Sequence, residues 1–110
     1  MLHVNMTDDD FAALLASSPL PVLAELGATW CAPCRLLAPV IEAIARDHDG
    51  LLEVATLDVD VAQATARRHA ITSVPTVIGF RDSEPVRVLP APSRVMLRQL
   101  VAELETGRGA

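Results

Sequence analysis

The chain has no lysine and no tyrosine, a single tryptophan, two phenylalanines and only two cysteines among its 110 residues. All nine basic residues are arginine and they face 14 acidic ones, for a formal net charge of -5. That balance leaves nothing to neutralise a run of phosphates, which argues against nucleic acid as a partner. No apolar run approaches the roughly 20 residues needed to span a bilayer, so no membrane segment is expected. Two cysteines are too few for a secreted disulfide scaffold. Residues Met1 to Asn5 lack the basic region and apolar core of a signal peptide. The expected compartment is therefore the cytoplasm, where thiols are kept reduced. Repeats, low-complexity tracts and linkers are also missing, and no nucleotide or flavin motif is present, so no cofactor is expected on the chain.

What is there reads as a globular fold. Hydrophobic residues make up 51% and charged residues 21% of the chain, and its length fits one domain over residues 1–110. A chain of this size buries well over half of its unfolded surface without a staple. Residues 2–5 read as a short edge strand. Thr7 can cap a helix whose positive end holds Asp8, Asp9 and Asp10 and whose face carries Phe11, Leu14 and Leu15. "VLAELGA" (22–28) is apolar on both alternations except for one acid, as expected of a central strand. Residues 34–47 repeat Leu37, Val40, Ile41 and Ile44 at helical spacing, with Pro39 expected to kink the helix. Residues 51–59 form the next strand and 61–69 a short helix. Residues 75–80 and 85–89 form two strands around the turn "RDSE", the second near an edge because it carries Pro85. Ser93 caps a last helix that Gly107 stops, and the final three residues are expected to fray. The first strands, joined through helices, are expected to pair in parallel, and the final two to form an antiparallel hairpin. The fold class is α/β, with a central mixed sheet of four or five strands flanked by helices on both faces.

The cysteines lie in "TWCAPC", at the turn from the buried strand into the long helix. The unpaired N–H groups of a helix's first turn lower the pKa of Cys31 and favour its reactive thiolate. Cys34, three residues on, lies on the same side of that turn, and the spacing suits a disulfide. Pro33 fits the first turn, where its missing N–H costs nothing. Cys31 is expected to be the exposed thiol and Cys34 the shielded one. A metal site needs about four ligands, and one CxxC with His3, His48 and His69 scattered along the chain does not supply them, so no metal is expected within one chain; two chains sharing their pairs remain conceivable. A purely structural disulfide closing so short a loop stabilises little. A CxxC pair beside a βαβ pattern is the mark of a redox motif, which becomes the main reading.

"WCAPC" (30–34) resembles the WCGPC active site of the thioredoxin family, with Ala32 in place of glycine. "RLLAPVIEAIA" (35–45) is similar to the helix that follows it in that family, and "ITSVPTVIGF" (71–80) to its cis-proline loop and strand. "MTDDDF" (6–11) and "LDVD" (57–60) match in place, so the likeness covers nearly the whole chain. It implies a thioredoxin fold and thiol–disulfide exchange on disulfide-containing proteins. Glu25 stands where the family carries a buried Asp. Flanked by Val22, Leu23, Ala24 and Leu26, it is expected to be buried, with its pKa raised, and to take a proton from Cys34. The family's nearby Lys is replaced by Thr56, which removes a compensating charge. The resemblance further implies a cis Val74–Pro75 bond, with Val74 and Pro75 holding the substrate strand. Trp30, Ala32 and Pro33 would complete that contact surface. Departures from the pattern include Leu26 in place of a common aromatic and "LPAPS" (89–93), one residue short and stiffened by Pro90, in place of a glycine-containing stretch.

In the implied mechanism Cys31 attacks a substrate disulfide and Cys34 resolves the mixed disulfide. A flavoprotein reductase using NADPH resets the pair. The alternative is a thioredoxin-fold binding module or chaperone that uses the same surface without turnover. His48 and His69 read as helix-end residues favourable to the dipole when charged, and Arg67 and Arg68 as a solvated helix end.

Overall fold

Val22–Gly27, the strand read as central, is buried at every position, and the rest of the fold is arranged around it. The computed structural model describes residues 1–107. Among them the order is β1 (Leu2–His3), α1 (Asp8–Ser17), β2 (Val22–Gly27), α2 (Ala32–Asp47), β3 (Glu53–Asp58), α3 (Gln63–Arg68), β4 (Thr76–Arg81), β5 (Glu84–Pro90) and α4 (Arg94–Thr106). The five strands form one sheet in the order β1-β3-β2-β4-β5. β1, β3 and β2 run parallel, as their helical connections require. β4 is antiparallel to β2 and makes a hairpin with β5, whose two-residue turn holds Asp82 and Ser83 at positive φ. β5 is an edge strand, where its prolines are tolerated.

Alternation sorts β2 between two cores. Leu23 packs with Val54 and Val77 beneath α2 and α4. Val22, Ala24 and Leu26 face the other way, with Phe11 of α1, Ala62 and Phe80. Glu25 and Gly27 therefore share the face that α2 covers. The buried stripe of α2 is Cys34, Leu37, Ile41 and Ala45, so the second cysteine is the first residue of the helix's core-facing row.

The expected caps are present. Thr7 Oγ1 accepts from the N–H of Asp10, Ser93 Oγ accepts from that of Met96, and Gly107 ends α4 at a φ of 71°. Pro39 lies inside α2. The expected edge strand at 2–5 is only two residues long. Its continuation is held by single bonds instead, from Asn5 N–H to Thr56 Oγ1 and from Met6 N–H to the Thr56 carbonyl. The residues expected to fray, 108–110, lie outside those described.

Candidate active site

β2 ends at Gly27 and α2 begins at Ala32, so Cys31 falls at the N-cap of α2. Its Sγ accepts a hydrogen bond from the Cys34 N–H at 3.2 Å, satisfying one of the helix's unpaired donors with a sulfur. The two cysteines form a disulfide with their Cα atoms 5.3 Å apart. Arg35 Nη1 donates to the Thr29 carbonyl at 2.8 Å and fastens the preceding loop to the helix. An electropositive helix start carrying a disulfide can both stabilise a thiolate at Cys31 and reclose the ring from Cys34.

The expected contrast in exposure is not found. Cys31 is 5% exposed and Cys34 8% exposed. The cause is packing: the pair forms a small cluster with Ala28, against which Val59 and Val74 rest. In the disulfide-bonded form both sulfurs belong to that cluster.

Glu25 is buried, at 8% exposed, directly opposite Thr56 of β3. Burial raises its pKa from 4.5 to about 7, since a charged carboxylate is poorly solvated there. Burial is the cause of the rise, and no arginine among the described residues offsets it in place of a lysine. Its Oε2 is buried and finds no hydrogen-bond partner among the described residues. A cavity of about 310 Å³ opens beside it, walled by Gly27, Cys34, Ala38, Ile41 and Thr56 and reaching Arg35, Glu42 and Asp58.

On the other flank of α2 lies an apolar surface. Trp30 is 67% exposed, and its indole Nε1 donates to Asp60 Oδ2 at 2.8 Å. Ala32 and Pro33 are exposed beside it. The Val74–Pro75 peptide bond is cis, and Pro75 lines a shallow groove with Pro33, Leu36, Ala91 and Pro92. The structure thus brings Trp30, Cys31, Ala32, Pro33, Cys34, Val74 and Pro75 to one end of the sheet, with Glu25 below them.

Two site residues were missed from the sequence. Leu36 is 80% exposed; it sits one position off the buried stripe of α2, and an apolar residue out of phase beside a reactive pair was the available signal. Gly27 is the other. A glycine inside an apolar strand marks a close approach, and a Cβ built there would stand 2.5 Å from Glu25 Oε2 and 3.2 Å from Cys34 Sγ.

The two helix-end histidines lie where the sequence places them. Both lie at the C-caps of their helices, His48 on α2 and His69 on α3, and His48 Nδ1 pairs with Glu105. His69, however, stands edge-on to Phe80, and burial followed by the nearby Arg68 charge lowers its pKa. It is therefore held toward the neutral form rather than the charged, dipole-favoured one.

A family model described as Thioredoxin matches residues 3–103. The chain is 45% identical over 101 residues to a thioredoxin of Mycolicibacterium smegmatis, covering 88% of this chain and 90% of that protein. It is 44% identical over 99 residues to a thioredoxin of Mycobacterium tuberculosis (strain H37Rv), covering 88% and 85%. It is also 44% identical over 84 residues to a protein of Mycobacterium leprae named bifunctional thioredoxin reductase/thioredoxin, covering 76% of this chain and 18% of that one. With the Cys31–Cys34 disulfide at the start of α2 and the five-stranded mixed sheet behind it, the chain belongs to the thioredoxin family and is a thiol–disulfide oxidoreductase.

Proposed function

We propose that the chain, acting as a single domain, reduces disulfides in protein substrates, with Cys31 as the attacking thiol. In the reduced form the Cys31 thiolate attacks one sulfur of the substrate disulfide. The other substrate sulfur leaves as a thiolate and takes a proton from solvent. The Cys34 thiol gives its proton to the Glu25 carboxylate, and the resulting thiolate attacks Cys31 Sγ. The Cys31–Cys34 bond forms, the second substrate sulfur leaves, and two electrons have passed to the substrate.

The observation that carries this reading is the position of Cys31 Sγ, at the cap of α2 and bonded to the Cys34 N–H. That site favours negative charge on Cys31, whereas Cys34 lies on the buried stripe next to the carboxyl of Glu25. A carboxyl with a pKa near 7 is half ionised at neutral pH, the condition in which one group can both take and return a proton. Trp30, Ala32, Pro33, Val74 and Pro75 form the substrate contact surface, joined by Leu36.

Regeneration falls to a thioredoxin-reductase-like flavoprotein. The fusion of the two names in the Mycobacterium leprae relative supports that partner. The cytoplasm is the proposed location; among the described residues no helix is long and apolar enough to cross a membrane.

Cys31→Ser should abolish reduction of insulin disulfides, and Cys34→Ser should accumulate a mixed disulfide through Cys31, seen by mass spectrometry. Turnover by Cys31→Ser would overturn the assignment. The reduction potential of the couple, measured against glutathione, separates a reductant from an oxidant.

A further inference from the structure

The backbone of β2 turns every second side chain toward α2, so Glu25 and Gly27 are consecutive on that face. Cys34 comes down onto the same face from the first turn of α2. The three meet at one point. The place where a Cβ of residue 27 would sit is 2.5 Å from Glu25 Oε2, 3.2 Å from Cys34 Sγ and 3.4 Å from Cys34 Cβ. The carboxyl oxygen thus lies inside the volume that any other residue's side chain would claim. Oxygen and sulfur are no farther apart than one bridging water spans.

The same missing side chain opens space. Gly27 and Glu25 both wall the cavity of about 310 Å³, whose helical wall is Arg35, Ala38, Ile41 and Glu42. The groove of Pro33, Leu36, Pro75 and Pro92 shares no lining residue with it. The turn sequence of α2 explains the separation: residues 35, 38 and 42 fall on one flank of the helix and 33, 36 and 40 on the other. A partner seated on the groove leaves the cavity uncovered. Glu25 Oε2, buried and without a hydrogen-bond partner among the described residues, faces this region.

We propose that Gly27 is a positioning residue for the resolving step: its lack of a side chain lets the Glu25 carboxyl stand within one water of Cys34 Sγ and keeps open a cavity through which that carboxyl exchanges its proton with solvent while a substrate covers the opposite flank of α2. The longer acid and the glycine two residues on form a matched pair. The inference rests on the reading of Glu25 as the base for Cys34.

The test follows the release of a preformed mixed disulfide between Cys31 and a small aromatic thiol across pH 5–9, by stopped flow. Gly27→Ala should slow release at neutral pH by about tenfold, part of the roughly 10²–10⁴-fold that a positioned base contributes, and should shift the midpoint of the pH profile. Glu25→Asp should slow it similarly, because the shorter acid withdraws from Cys34. The double variant should be no slower than Glu25→Asp alone, since a retracted carboxyl no longer meets the added methyl. A purely structural role for Gly27 predicts instead that the two losses multiply and that the midpoint stays; that result overturns the proposal. If Gly27→Ala does not fold, Glu25→Asp decides with Gly27 in place, and an unchanged release rate overturns it. Glu25→Gln separates the two readings. An unaltered pH profile in Glu25→Gln removes the base itself. An altered profile there, with a wild-type profile in Gly27→Ala, removes only the role of Gly27.

Discussion

A single acid in an apolar strand shapes both the chemistry and the stability of this chain. Glu25 has a folded-state pKa of about 7 against 4.5 in the ordinary case, so the native state holds its proton more tightly than the unfolded state does. The linkage has a definite sign. Below pH 4.5 both states are protonated and Glu25 costs nothing on this account. As pH rises from 4.5 through 7 the native state is progressively destabilised, and above 7 the full cost stands. The shift corresponds to about 3 kcal/mol at 1.36 kcal/mol per unit. Glu25→Gln should therefore be more stable than wild type by up to that amount at pH 8, with the gap closing toward pH 4.5. Urea unfolding at both pH values checks it, and a gap that does not change with pH would show that Glu25 is not desolvated as placed. At this scale the sequence was informative because the neighbours of Glu25 are all apolar. It was silent on Gly27, because a glycine announces closeness without saying to what.

On α2, the same helix serves the core and the surface, and the two uses separate by one position. Ile41 is fully buried on the stripe, and Ile41→Ala should cost about 2–5 kcal/mol, from lost burial and the cavity left behind. Leu36 points outward, and Leu36→Ala should leave stability within about 0.5 kcal/mol. It should nevertheless raise KM for insulin reduction with little change in kcat, if the groove receives substrate. Thermal melts and steady-state kinetics on the same two proteins make the comparison. The helix itself was legible from the spacing of Leu37, Val40, Ile41 and Ile44. The periodic pattern itself begins only at Cys34, because Ala32 and Pro33 carry no periodic signal, and it was the missing N–H of Pro33 that marked the first turn. β1 was overread: Leu2 and His3 pair with Val54 and Ala55, but the chain then turns through Asn5 at positive φ, a local conformation that a hydrophobic pattern does not encode.

Across the whole molecule, the mixed character of the sheet and its final hairpin were legible in the sequence, whereas the order of the strands was not. β2 and β3, joined by α2, became parallel neighbours. α3, by contrast, carries the chain from β3 to β4, antiparallel on the other side of β2, and the short turn around Asp82 and Ser83 made the only hairpin among the described residues. The two cores followed from alternation along β2. The exposure of the cysteines did not follow, because it depends on Val59 and Val74, which arrive from the loops after β3 and before β4. Contacts between segments distant in sequence leave no local pattern to read.

The lone indole has an optical consequence. With no tyrosine and two phenylalanines in the chain, ultraviolet emission excited at the red edge of protein absorption comes from Trp30 alone. That ring stands in water, adjacent along the chain to Cys31 and bonded to Asp60. Its intensity should change when the disulfide opens, disulfides being quenchers of nearby indoles, and its maximum should move to shorter wavelength when a docked protein displaces the water around it. Titrating the chain with reductant, then with a trapped substrate of Cys34→Ser, should give two separable signals without any added dye. An emission spectrum indifferent to both would place the ring away from the reacting end.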